Sequence, residues 1–151
     1  MRPFLALTLG LTFAACGTGT GPLTNDDFAS ELDVDLGVMT LTASGLYYQD
    51  IQVGAGTEAA AGDSVTVHYE GFLRNGTKFD SSRERNEPYE FVVGVGEVIP
   101  GFDEAVFGMR EGGVRKVVMP PNLAYGASGA PPIIPPNSTL VFDIELLSVT
   151  Q

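Results

Sequence analysis

The sequence contains one cysteine, one histidine and no tryptophan. A disulfide within the chain is impossible, and a Cys/His zinc site has almost no ligands to draw on. Basic residues are scarce as well: Lys and Arg number 8 against 19 Asp and Glu, a formal net charge of -11. That balance argues against nucleic acid as a partner and against electrostatic docking on anionic lipid. There is no Gly-x-Ser-x-Gly elbow for a nucleophilic serine. Gly94-Val95-Gly96 lacks the third glycine of a dinucleotide fingerprint and opens no βαβ unit. His68 lies on the more polar face of its strand, which suits a surface histidine better than a general base. Asp80 has no neighbouring cluster to suggest a metal. No cofactor and no metal are therefore expected.

At 151 residues the chain is long enough for one domain with some length to spare. Residues 1–15 have the layout of a secretory signal: Arg2, a short apolar run from Phe4 to Phe13, then Ala14-Ala15. The run is too short for a good transmembrane helix. Phe13-Ala14-Ala15-Cys16 resembles a bacterial lipobox, although Phe13 stands where Leu is preferred. Cys16 is thus the expected lipidation site, with an ordinary cleaved signal as the alternative. Residues 16–40 read as a tether. Gly17 to Pro22 is flexible by composition, and Asn25 to Asp35 is acidic enough to suit a solvated spacer. Asn25 is a candidate cap for a short helix carrying Phe28 and Leu32.

The domain is expected over residues 41–151, and most of it has strand composition. Val65, Val67 and Tyr69 alternate with Thr66, His68 and Glu70. Asn75-Gly76 reads as a hairpin turn. Leu140, Phe142, Ile144 and Leu146 alternate with Val141, Asp143, Glu145 and Leu147 in the last strand. Val117-Val118 leaves the inward face of its strand undecided. Only Pro100 to Met109 is convincingly helical. Phe102, Ala105, Val106 and Met109 share one face, Pro100 suits the first turn, and Gly112-Gly113 can end it. Asp103 and Glu104 bring negative charge to the positive end of the helix dipole. One short helix among strands needs a curved sheet to bury its apolar face.

Residues 120–136 contain six of the ten prolines and cannot form a central strand. Their apolar residues Leu123, Tyr125, Ile133 and Ile134 must pack down or line something. With Tyr69, Phe79, Tyr89, Val98, Ile99, Phe102 and Phe142 they form a set able to build an apolar pocket with a few polar tips.

Five stretches then form a pattern: Val65-Thr66-Val67-His68-Tyr69-Glu70-Gly71; Gly76-Thr77-Lys78-Phe79-Asp80-Ser81-Ser82; Glu97-Val98-Ile99-Pro100-Gly101-Phe102; Ala124-Tyr125-Gly126; and Ile133 through Phe142. In order and spacing they resemble the FKBP-type peptidyl-prolyl isomerases, over about Leu41 to Gln151. The resemblance implies an α+β fold, a twisted antiparallel half-barrel wrapped around one short helix. It implies an isomerase acting on Xaa-Pro bonds of unfolded or partly folded polypeptides, inhibited by macrolides, working as a monomer and without a cofactor. Combined with the N-terminal pattern, it suggests an exported protein held at a membrane by a lipid, or else a soluble secreted one.

By the same resemblance, Phe102, Val98 and Ile99 would form the floor and walls for the prolyl ring. Phe79, Tyr89 and Phe142 would enclose the twisted amide, with Tyr69, Ile133 and Ile134 also lining the site. The Tyr125 hydroxyl and the Ile99 N–H would bind substrate carbonyls. Asp80 would be a polar rim group oriented by Arg85. Phe102 stands where many family members have Trp, and this smaller floor alters the fit for bulky macrolides. Tyr89 replaces a frequent Phe, and Ala130 occupies a position where some members carry larger residues. The competing class is a chaperone or scaffold that keeps the pocket and binds clients without turnover. Against it stands a nearly complete set of pocket residues.

Overall fold

The computed structural model describes residues 22–151. The expected signal over residues 1–15 and Cys16 lie outside the described residues. The strand patterns become one antiparallel sheet of β1 (Thr40–Leu41), β2 (Tyr47–Gln52), β3 (Ser64–Leu73), β4 (Lys78–Ser81), β5 (Tyr89–Val92), β6 (Val114–Met119) and β7 (Leu140–Thr150). Their spatial order is β1-β2-β6-β7-β3-β4, with β5 also pairing with β3. Long β3 and β7 form the spine, in register from Ser64 opposite Thr150 to Leu73 opposite Leu140. The ladder slips once, between Thr66 and Val67, a bulge that adds to the strand's bend. The sheet stays open, an antiparallel half-barrel around one helix, as expected.

That helix, α1 (Pro100–Val106), has Pro100 in its first turn and buries Phe102, Ala105 and Val106. Met109, just beyond its end, completes the buried face. At seven residues α1 is too short to persist alone in water, so packing must hold it. Burial of Phe102, Val106 and Met109 supplies roughly 1.5–3 kcal/mol for each side chain. The helix ends before Gly112-Gly113, the expected stop. Gly108, at φ +81°, turns the chain first. Arg115 of β6 then fastens the helix end to the sheet. It donates to the Ala105 carbonyl at 2.9 Å and to Asp50 at 2.7 Å, with its guanidinium 4.6 Å from the Tyr48 ring centre.

Both faces of the sheet's middle are buried, which resolves the ambiguity at Val117-Val118. Val117 points into the main core with Leu140, Phe142, Ile144 and Leu146. Val118 and Val141 point outward into a second cluster with Phe28, Leu32 and Met39. This corrects the spacer expected over residues 16–40. From Leu23 onward the segment is a strap packed across the sheet's outer face, with two 3-10 turns at Asn25–Asp27 and Ser30–Leu32. Thr24, rather than Asn25, caps the first turn, through reciprocal bonding with Asp27. Asn25 instead spans the strap, accepting from the Leu36 N–H and donating to Asp35. The acidic residues face water while Phe28 and Leu32 are buried against the sheet.

A second local difference lies at the β3–β4 hairpin. Only Gly76 takes positive φ. Asn75 contributes its side-chain oxygen, which accepts the Thr77 N–H at 3.0 Å.

If the strap is part of the fold, a chain starting at Leu41 should unfold at a lower urea midpoint than one starting at Pro22. In the longer chain Leu32→Ala should cost about 2–3 kcal/mol, within the usual range for a buried leucine. Coincident unfolding curves for all three proteins would show that the strap adds no stability.

Candidate active site

The sheet's inner face and the start of α1 enclose a cavity of about 500 Å³. Its floor is Phe102, which touches three other rings edge-on: Tyr69, Phe91 and Phe142, with centroids 5.5–5.6 Å apart for Phe142, Tyr69 and Phe91. Edge-to-face geometry sets positive ring edges on negative ring faces, which fixes the orientation of each ring. Phe79 of β4 meets Phe142 at 5.6 Å and a right angle. That contact depends on Gly71 of β3, where an added Cβ would lie 2.5 Å from Phe79 and 2.8 Å from Phe142. Tyr89 closes one side, with Tyr69 6.2 Å away.

Val98 and Ile99 form the wall between β5 and α1, half-buried against the core. The loop that carries them is tied down by Asp103, whose carboxylate accepts the Gly94 N–H at 2.9 Å and the Gly96 N–H at 3.1 Å. The Ile99 carbonyl accepts the first helical N–H groups, from Phe102 and Asp103. Its own N–H has no partner among the described residues. Tyr125, from the proline-rich loop, stands across the mouth with its hydroxyl likewise unpaired among the described residues.

The polar side of the cavity is a closed network. Tyr69 donates its hydroxyl to Asp80 at 2.6 Å, Arg85 donates to the other Asp80 oxygen, and Arg85 also reaches the Tyr69 oxygen at 3.3 Å. Burial pushes the Asp80 carboxyl up, but the bonds from Tyr69 and Arg85 outweigh it and hold the group below its ordinary value. Tyr69 is shifted up, first by burial and then by its bond to Asp80. Tyr125 is also shifted up, by burial and then by the Asp80 charge. Asp80 is thus kept ionised and fully engaged, and both tyrosines keep their protons.

Most of the expected residues meet around this cavity: Tyr69, Phe79, Asp80, Tyr89, Val98, Ile99, Phe102, Tyr125 and Phe142. Arg85 stands behind Asp80 and does not line it. Ile133 and Ile134 are also absent from the wall. The Ala130 and Ile134 backbones pair with each other at 2.9 and 3.0 Å, closing a tight turn. Adjacent side chains then diverge, Ile134 into the core and Ile133, 55% exposed, into solvent. Glu97 does line the cavity and was not among the expected site residues. Its place at the head of the Glu97-to-Phe102 stretch was the sequence signal that could have found it.

The arrangement offers an apolar, aromatic-floored cavity with two free hydrogen-bond donors on its sides and no nucleophile poised beside a base. It is suited to binding and reshaping a ligand rather than to cleaving one. Comparison with known proteins gives the same answer. The family described as FKBP-type peptidyl-prolyl cis-trans isomerase matches residues 56–147. The FK506-binding protein of Neisseria meningitidis serogroup B is 53% identical over 107 residues, 71% of this chain and 98% of that protein. The peptidyl-prolyl cis-trans isomerase Fkbp12 of Drosophila melanogaster is 57% identical over 88 residues, 58% of this chain and 82% of that one. Among solved structures, AtFKBP13 superposes with a TM-score of 0.70 at 43% identity, covering 73% of this chain and 97% of that chain. The matched region contains every residue that lines the cavity, and the conclusion is direct: the chain belongs to the FKBP-type peptidyl-prolyl cis-trans isomerase family.

Proposed function

We propose that the cavity accelerates Xaa-Pro rotation by holding the amide while it is twisted. The supporting observation is the pairing of an aromatic floor with two unpaired donors, the Ile99 N–H and the Tyr125 hydroxyl. The barrier to this rotation is about 18–20 kcal/mol and arises from amide resonance. Water bonded to the carbonyl oxygen favours the charge-separated planar form. Transfer of the prolyl ring onto Phe102, between Val98 and Ile99, strips that water away. Phe79, Tyr89 and Phe142 then enclose the twisted amide more closely than either planar isomer, and only such differential binding raises the rate. The Ile99 N–H and Tyr125 hydroxyl take substrate carbonyls that flank the rotating bond. Asp80 shapes the rim and needs no proton of its own, because the reaction transfers none.

The physiological substrates in this reading are proline-containing segments of exported proteins, and macrolides would compete for the same floor. Cys16 would carry a lipid that holds the protein at a membrane. Support for export and anchoring comes from the N-terminal sequence pattern alone.

Four outcomes test these statements. Cis-to-trans relaxation of a short Xaa-Pro peptide, read without a coupled protease, should speed up in proportion to protein and lose that acceleration with a macrolide. Tyr125→Phe should lower kcat/KM by about 2- to 10-fold, the value of one hydrogen bond, with the fold intact by circular dichroism. An unchanged rate would remove the hydroxyl from the mechanism. The profile of kcat/KM should be flat from about pH 6 to 9, since Asp80 is shifted down and Tyr69 and Tyr125 up, away from that range. A limb within it would mean that a titrating group takes part. For the anchor, Cys16→Ser should move the expressed protein from the detergent phase to the aqueous phase. Equal partitioning of both forms would rule out lipidation at Cys16.

A further inference from the structure

We infer that Glu97 makes this isomerase favour prolines that have a basic residue within two positions. The inference rests on the isomerase reading and adds a substrate class to it. Two carboxylates line the cavity, Asp80 and Glu97. They differ in what surrounds them. Both Asp80 oxygens are engaged, and Asp80 is paired with the Arg85 guanidinium. Glu97 has no cation beside it. Arg74, Lys78, Arg83, Arg85, Arg110, Arg115 and Lys116 are the cations of the described residues, and each is paired with some other carboxylate. Of the two carboxylates that line the cavity, Glu97 is therefore the one without a cationic partner among the described residues.

Glu97 is also held in place. One of its oxygens accepts the Val92 N–H at 3.0 Å, at the end of β5. The other has no partner among the described residues. The loop beneath it is pinned to α1 through Asp103. A carboxylate fixed by one oxygen loses little further freedom on gaining a partner at the other, which favours binding. Glu97 directly precedes Val98 and Ile99, so it sits next to the wall assigned to the prolyl ring. An extended peptide advances about 3.3 Å per residue. A lysine or arginine side chain one or two residues from the proline can span that distance and reach the free oxygen.

The test compares peptides that place Lys, Gln or Glu at each of the two positions on either side of one proline. For the purified protein, kcat/KM should be higher for the Lys peptide than for the Glu peptide at one of these positions, by roughly 2- to 5-fold at low salt, as for a partly exposed ion pair. The ratio should fall towards one at about 1 M salt, where the Debye length is near 3 Å. Glu97→Gln should flatten the ratio, and Glu97→Lys should reverse it. A ratio near one in the unaltered protein that accelerates the Gln peptides overturns the inference and leaves the isomerase reading standing. A preference that persists in Glu97→Gln and Glu97→Lys also overturns it, by assigning the selectivity elsewhere. Absence of acceleration for every peptide sinks the isomerase reading itself.

Discussion

Phe102 belongs to two structures at once. Its ring is 4% exposed and lies in the core, yet it is also the floor of the cavity. Three aromatic rings from β3, β5 and β7 converge on it edge-on. The sheet must curve for those strands to reach one point, and the helix must be short enough to fit inside the curve. The folded state therefore stabilises the site as a by-product of stabilising itself. A change that loosens the ring cluster would reach both the melting temperature and the cavity's shape.

Around that apolar centre, the polar groups divide into those that are occupied and those that are open. Asp80, Tyr69 and Arg85 satisfy one another, which makes that side of the cavity rigid. Asp103 is consumed by two backbone N–H groups, which makes the neighbouring loop rigid. The Ile99 N–H and Tyr125 hydroxyl remain open. A buried site with every donor already spent would bind only by shape. One with many loose donors would have to shed water from all of them first. This cavity lies between those limits, with a dry floor and two defined points of attachment.

The half-barrel and its helix were legible because they rest on periodicity. Alternation in β3 and β7 and the Phe102-Ala105-Val106-Met109 face are local patterns, and burial followed them. Residues on loops were harder. Ile133 and Ile134 look equivalent in sequence, yet a backbone pairing four residues wide sends one inward and one outward. The strap was missed for another reason. Its apolar residues are few and set among acids, so composition alone suggests a spacer. The complementary signal was present in the outward-facing Val118 and Val141, since apolar residues on both faces of a strand imply a cover on each. The place of Glu97 at the head of its stretch was legible, but the absence of a neighbouring cation is a property of the folded surface.

The strap also gives the molecule a mechanical order. The Ala29 N–H donates to the Arg74 carbonyl at 2.7 Å, and Asp27 lies 3.7 Å from the Arg74 guanidinium. Arg74 opens the hairpin that leads into Phe79 and Asp80. A load applied upstream of Leu23 meets the Asp27 and Ala29 contacts to Arg74 and the seated Phe28 before it reaches Leu32, and beyond the strap the chain runs into β1 at the edge of the sheet rather than into the wall of the cavity. The strap thus acts as a strain relief between the N-terminal end and the site, so that tension must undo an apolar seam before it can distort the ring cluster.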